Sequence, residues 1–195
     1  TPISIDHTNL LGNSIKQITK EKLGIFKENS MAIISKQTEL VKKLIKTEAE
    51  KKKVVLFQES KEWKVIEKKL KKKEFIFNYL GKKINFPIPK LYGDHQIENA
   101  STAIATILSL KNINIDKNSI SLGVLNAEWP ARMHNLNKGK LSKIVKKRFD
   151  IWLDGGHNFH ASEMISEVLD SWGRKNIFLI LGMMNGKNPV EFISK

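Results

Sequence analysis

The feature that most constrains this chain is an alternation in its first third: an apolar run at Met31–Ile34, a Lys/Glu-rich stretch carrying Leu40, Val41, Leu44 and Ile45, and a second apolar run at residues 54–57. The middle stretch places its apolar residues on one helical face, and the flanking runs have strand length and composition. Strand, crossover helix and strand put the two strands parallel in one sheet, so an α/β fold is expected. Ahead of this unit, Asn13 or Ser14 can cap a helix with Ile15, Ile18 and Leu23 as its apolar positions and Gly24 as its end. Lys22 then falls in the last turn. The opening Thr1-Pro2-Ile3-Ser4-Ile5 reads as a short β-like segment with no initiator Met and no element before it, as expected of a piece of a longer chain.

Further along, Phe75, Phe77 and Tyr79 alternate before Gly81, and Ile84 and Phe86 alternate after it, the pattern of a β-hairpin. Pro87 and Pro89 follow as a stiff connection, placing a domain boundary near residue 88 and dividing the chain into 1–88 and 89–195. A helix over about 94–110, a shorter helix after Asp116 and a strand over 149–153 come next. That strand runs into Asp154-Gly155-Gly156-His157-Asn158. Ala161, Met164, Ile165, Val168, Leu169 and Trp172 then recur at helical spacing, and 177–181 reads as another strand.

Composition narrows the functional classes. With 195 residues, 41% of them hydrophobic, the chain can bury one full core or two modest ones. No run approaches the ~20 apolar residues of a membrane span, and the start lacks the layout of a secretory signal. The absence of cysteine removes disulfides and thiolate metal sites and suits a reducing, cytoplasmic setting. The formal net charge of +14 invites a nucleic-acid reading, with basic clusters at Lys51, Lys52 and Lys53, at Lys71, Lys72 and Lys73, and at Lys146, Lys147 and Arg148. Those residues are mostly lysine, dispersed, and not interleaved with aromatics, so a solvated basic surface is expected, with neither nucleic acid nor membrane as partner.

Two short patterns carry less than they suggest. Gly182-Met183-Met184-Asn185-Gly186-Lys187-Asn188 is one residue short of a phosphate loop and has Asn188 where Ser or Thr would hold magnesium, so it reads as a strand-to-helix turn. His157 and His160 lack the third ligand a zinc site needs.

Six other patterns, in order, carry more. Ser4-Ile5-Asp6-His7-Thr8, Leu11-Gly12-Asn13 and Glu21-Lys22-Leu23-Gly24-Ile25 are followed by Gly93-Asp94-His95-Gln96 with Asn99-Ala100, by Glu128-Trp129-Pro130-Ala131-Arg132, and by Asp154-Gly155-Gly156-His157-Asn158. Together they resemble the signatures of the folylpolyglutamate and dihydrofolate synthases of the Mur ligase superfamily. The resemblance departs from the family at Ala131, usually Gly, at Gly156, usually Ala, and at Phe159, commonly Pro. It implies the carboxyl-terminal part of a P-loop-type central domain followed by a Rossmann-like α/β domain. The Gly-Lys-Thr/Ser loop of such enzymes does not occur within these residues, so the chain alone is expected to be inactive.

The resemblance also implies a chemistry. Family members use ATP to join L-glutamate to a folate or dihydropteroate carboxylate, first making an acyl phosphate that the glutamate amine then attacks. ATP and Mg2+ are the implied cofactors, with a monovalent cation as an optional addition, and the partners are small molecules bound by a monomer. His7 and Lys22 are the implied metal ligands, Lys22 as a carbamate that turns a cation into an oxygen ligand with a catalytic role. Asn99, Arg132 and Asp154 are implied ATP contacts. His157 is implied as catalytic and, with Asn158, as substrate-binding. A non-catalytic nucleotide- or polyanion-binding module using the basic surface is the alternative reading.

Overall fold

A computed structural model describes residues 1–6, 8–145, 149–173 and 176–194. His7 and the Lys146, Lys147 and Arg148 cluster lie outside the described residues. The chain divides into two compact units, one of residues 1–89 and 97–126, the other of 90–96 and 127–195.

The first unit begins with α1 (Thr8–Leu11) and α2 (Ile15–Leu23). Ser14 caps α2: its Oγ accepts from Gln17 N, while the Gln17 side chain reaches back to Ser14 N, satisfying two donors that a helix start leaves open. Parallel strands β1 (Met31–Ile34) and β2 (Val55–Gln58) flank α3 (Glu39–Lys51), as the alternation requires. Leu23, Phe26, Val41, Ile45, Ala49 and Val54 close one core cluster. Burying each larger side chain there contributes about 1.5–3 kcal/mol, which is what holds α2 and α3 together. The opening segment forms no strand. Instead Ile3 N donates to Gln37 Oε1 at 3.0 Å and Gln37 Nε2 donates to Thr1 O at 2.9 Å.

The expected hairpin, β4 (Glu74–Tyr79) with β5 (Lys82–Pro87), supplies the central strand and one edge of a three-stranded antiparallel sheet. Its third member, β3 (Trp63–Lys69), is absent from the sequence reading because a bulge between Val65 and Glu67 interrupts its alternation. Trp63, Phe75, Phe77 and Phe86 form the second core cluster with Ile97, Ile104 and Ala105 of α4 (His95–Ser109) and Ile120 and Val124 of α5 (Lys117–Asn126). Both helices, though they follow residue 88, cover the aromatic face of the hairpin's own sheet.

The second unit is built from shorter pieces. β6 (His134–Asn135) pairs antiparallel with β7 (Trp152–Leu153), so only the end of the expected 149–153 strand is one. A five-residue helix, α6 (Lys140–Ile144), lies between them in sequence. α7 (Phe159–Ser171) follows the helical spacing, buries Val168 and is capped by Asn158, whose Oδ1 accepts from Ala161 N at 2.8 Å. Residues 177–181 do not form the expected strand. Ile180 is 97% exposed and Phe178 79%, and among the described residues no strand pairs with them, so their backbone groups lack the ladder a strand requires. The 182–188 turn therefore leads into a helix, α8 (Pro189–Ile193) capped by Asn188, but not out of a strand.

Candidate functional site

The second unit gathers two of the six patterns and the Gly93–Gln96 part of a third. Asp154, just after β7, accepts from Met133 N at Oδ2 and from Gly156 N at Oδ1, both at 2.7 Å. Gly155 N donates to Ala131 O at 2.9 Å. The Met133 and Gly155 bonds stitch residues 131–133 to 154–156, and the Gly156 bond shapes the second of these segments. Arg132, exposed, is bracketed by two residues in the left-handed region, Ala131 at φ 56° and Met133 at φ 40°. Its Nη1 lies 3.4 Å from where a Cβ on Gly155 would fall, so the guanidinium sits alongside that glycine. The arrangement presents a cation next to a loop of backbone donors already shaped by a carboxylate.

His157 Nδ1 lies 3.1 Å from Gly155 O. A carbonyl only accepts, so Nδ1 carries the ring proton and Nε2 of the neutral ring is an acceptor. Asn158 spends its carbonyl oxygen on the α7 cap, and the start of that helix favours anions. His95 opens α4 within this unit; burial pushes its pKa below the ordinary histidine value, the Asp154 and Glu167 charges oppose that shift, and His160 and Arg132 add to it. Lys90 pairs with Glu128 and, by its hydrogen bond and then its charge, holds that carboxyl below the usual range. Both side chains are exposed, so the pair orients more than it stabilises.

An aromatic cluster backs the site. Tyr92 and Trp152 have ring centroids 5.2 Å apart, Trp152 and Trp172 are also 5.2 Å apart, and Trp172 Nε1 donates to the Tyr92 hydroxyl at 2.9 Å. It ties the segment before His95 and the strand before Asp154 to the end of α7.

In the first unit, Lys22 faces a recess of about 190 Å³ lined also by Pro2, Ser4, Asp6 and Leu11. The first three patterns thus meet around one lysine. The Asp6 carboxylate and Ser4 hydroxyl are the hard oxygen donors magnesium prefers, so this recess fits a divalent ion. Among the described residues no three His, Asp or Glu side chains cluster as a metal site. Asn99 lies exposed on α4 in this unit. A larger recess of about 740 Å³ lined by Asn137, Ser142, Lys143, Val145, Phe149, Asp150 and Ile151 contains none of the expected site residues.

The Mur ligase middle domain, as a sequence family, matches residues 1–107. The chain belongs to the Mur ligase family. It is 28% identical to the dihydrofolate synthetase of Saccharomyces cerevisiae over 96% of its own length and 43% of that protein. It is 31% identical to the dihydrofolate synthase/folylpolyglutamate synthase of Bacillus subtilis over 87% of its length and 38% of that one. Among solved structures, E. coli FolC in complex with DHPP and ADP superposes with a TM-score of 0.72 at 26% identity, over 90% of this chain and 38% of that one. An FPGS–AMPPCP–folate complex shares the fold at a TM-score of 0.75 and 20% identity, over 90% of this chain and 42% of that one. The chain spans about two fifths of the length of the curated relatives it matches. The Mur ligase match runs to residue 107, within α4, in keeping with the packing of that helix against the sheet of the first unit.

The departures from the family pattern have local causes. Ala131 sits at φ 56°, where glycine is unstrained. A Cβ on Gly156 would fall 2.9 Å from Ile165 Cδ1 and 3.0 Å from Ala161 Cβ, so alanine there requires a smaller or shifted neighbour. Phe159 occupies the first helical position after the Asn158 cap, where proline is well tolerated. Motif reading gave His95, Ser4 and Asp6 no individual role; their membership in the patterns was the available signal.

Proposed function

We propose that this chain is part of an ATP-dependent ligase that adds L-glutamate to a folate or dihydropteroate carboxylate through an acyl phosphate. The observation that carries the reading is the Asp154 clamp, which joins the Arg132 segment to Gly155, Gly156, His157 and Asn158. A carboxylate resists nucleophiles until phosphorylated, and phosphoryl transfer depends on positioned cations. Arg132 would grip phosphate oxygens with its planar fork, and Asp154 would hold that loop and meet the ribose. His157 and Asn158, the latter through its amide nitrogen, would meet the glutamate carboxylates or the phosphates. Asn99 would pair with an adenine edge.

Lys22 as a carbamate, with Asp6, Ser4 and His7, would hold the divalent ion. That ion, when bound, neutralises phosphate charge. Residues 1–195 contain no Gly-Lys-Thr/Ser loop, and ligation is proposed to need one supplied by adjoining sequence. The relatives are named as synthases of this type, which supports the same reaction here.

Calorimetric titration tests the reading. The chain should bind Mg-ATP weakly, and Arg132→Ala should abolish that binding in a protein of unchanged melting temperature. Tight, steeply salt-dependent RNA binding without nucleotide binding would instead favour the polyanion-binding alternative. Joined to a segment carrying a phosphate loop, the chain should release ADP only when both a folate-type acid and L-glutamate are present; the 195 residues alone should release none.

A further inference from the structure

The 182–188 turn carries a pair of residues to which the proposed reaction assigns no role. Asn185 is followed by Gly186, the one Asn-Gly pair in the sequence. Lys187 N donates to Met184 O at 3.2 Å, closing a four-residue turn with Asn185 and Gly186 as its exposed central pair. Gly186 has φ 88°, left-handed backbone that glycine holds without strain. Among the described residues, neither the Gly186 N–H nor the Asn185 side chain has a hydrogen-bond partner.

Comparable pairs elsewhere in the chain are held differently. An asparagine side chain reacts with the amide nitrogen of the next residue most readily where that residue is small and leaves the nitrogen uncovered. Serine follows Asn13, Asn29 and Asn118. Ser14 N donates to Gln17 Oε1 at 3.1 Å, Ser30 N to Lys27 O at 3.3 Å and Ser119 N to Asp116 Oδ1 at 3.0 Å. Gly155 N, after Asp154, is likewise bound, to Ala131 O. A nitrogen whose hydrogen is in such a bond must break it before it can attack. Of these nitrogens, Gly186 N alone is both uncovered and unspent.

We propose that Asn185 is a modification site, converted to aspartate and isoaspartate through a succinimide. Gly186 N gives up its proton to base and attacks Asn185 Cγ; the bond from Cγ to Nδ2 breaks and ammonia leaves. Water then opens the ring. Cleavage of the bond from Gly186 N to Cγ gives aspartate. Cleavage of the bond from Gly186 N to the main-chain carbonyl carbon of residue 185 gives isoaspartate, with the chain now running through the side chain. Water enters, ammonia leaves, and nothing is oxidised or reduced. Either product adds a negative charge. The isoaspartate also lengthens the main chain between Met184 O and Lys187 N by a methylene, so the bond that closes the turn is lost. That turn leads into α8, which is capped by Asn188 and buries Phe192, so the modification loosens α8 independently of the reaction proposed above.

The test ages the whole 195-residue chain at mildly alkaline pH, folded and in denaturant, and locates the products by tandem mass spectrometry of its peptides. In the folded chain Asn185 should convert at least about tenfold faster than Asn13, Asn29 or Asn118. In denaturant the three Asn-Ser pairs should speed up, while Asn185 changes by less than about twofold. Asn185→Gln should remove the acidic species from the folded chain. Asn185→Asp carries the charge without the methylene and should keep the Lys187 amide protected from exchange, whereas the aged isoaspartyl form should lose that protection. Folding that protects Asn185 as much as it protects Asn29, or Asn-Ser pairs that convert as fast as Asn185 in the folded chain, would overturn the proposal. Unchanged Lys187 protection in the isoaspartyl form would overturn the loosening of α8.

Discussion

The two compact units solve the same task, holding a few polar side chains at the ends of elements, by opposite means. In the first, Lys22 rides on a capped helix anchored by Ile18 and Leu23, and the neighbouring sheet buries Trp63, Phe75, Phe77 and Phe86 to 1% exposure or less. In the second, the buried hydrophobic residues among those described are Met133, Val168 and Phe192, and the two paired strands are two residues long. Its site is shaped by the Asp154 clamp and the Tyr92–Trp152–Trp172 cluster. Apolar packing spreads a loss over many neighbours, whereas a polar clamp concentrates it in two or three bonds.

The comparison breaks first where the first unit is densest. Phe77 is fully buried and touches the rings of Trp63, Tyr79 and Phe86. Phe77→Ala should cost about 3–5 kcal/mol, the usual cost of emptying a core aromatic site. Urea unfolding followed by far-UV circular dichroism measures it; a loss below about 1 kcal/mol would show that the aromatic face is not the core.

Asp154→Ala is the matching cut in the second unit. It strands the Met133 and Gly156 donors, at roughly 2–3 kcal/mol for charge-assisted bonds. Asp154→Asn keeps one acceptor oxygen and should lose about half as much. Near-UV circular dichroism, which reads the tryptophan cluster, checks both. Equal losses for Ala and Asn would mean that the charge, and not the two-pronged geometry, holds the loop.

The same contrast explains what could be read from sequence. Periodicity is a signal of packing, so α3, α4, α7, the β1 and β2 pair and the β4–β5 hairpin were legible from residues such as Val41, Ile45, Phe75 and Phe77. The bulge at Ile66 hid β3, since an extra residue reverses the alternation. Residues 177–181 have strand composition without a pairing partner among the described residues, and composition does not report pairing. In the site, short patterns located Arg132, Asp154 and Lys22, but which atoms meet was not legible. That Asp154 binds Met133 and Gly156, and that Asn158 caps α7, are contacts between side chain and backbone, which leave no periodic trace.

A smaller effect, of opposite sign, comes from the first unit. Ser101 is fully buried on α4 and, among the described residues, its Oγ has no hydrogen-bond partner. Ser101→Ala removes an orphaned hydroxyl without opening a sizeable space, and should raise stability by about 1 kcal/mol. The midpoint of chemical unfolding checks it. A loss of stability would place an ordered water or an alternative rotamer on that hydroxyl and make the core of the first unit less purely apolar than its packing indicates.

The smallest effects compare strained turns across the two units. Leu80 and Gly81, at φ 49° and 83°, form the two-residue loop between β4 and β5, a turn that needs left-handed backbone at both positions and favours Asn-Gly. Leu80 is 57% exposed, and its N–H donates to Glu62 O at 2.8 Å, a bond asparagine keeps. Leu80→Asn should therefore add about 0.5–1 kcal/mol, from relief of a branched side chain in the left-handed region. Ala131→Gly relieves a similar conformation beside Arg132, but glycine also enlarges the unfolded ensemble by about 0.4–1 kcal/mol, which cancels most of the gain. Its net effect should lie within about 0.5 kcal/mol of zero, with Mg-ATP affinity unchanged because the Gly155 N to Ala131 O bond uses backbone only. Thermal melts of the two variants, run side by side with nucleotide titration of the second, decide the matter. A gain above about 1 kcal/mol for Ala131→Gly would reveal strain stored in the Arg132 loop. It would also reverse the order, making the loop of the second unit, and not the hairpin of the first, the more strained of the two turns.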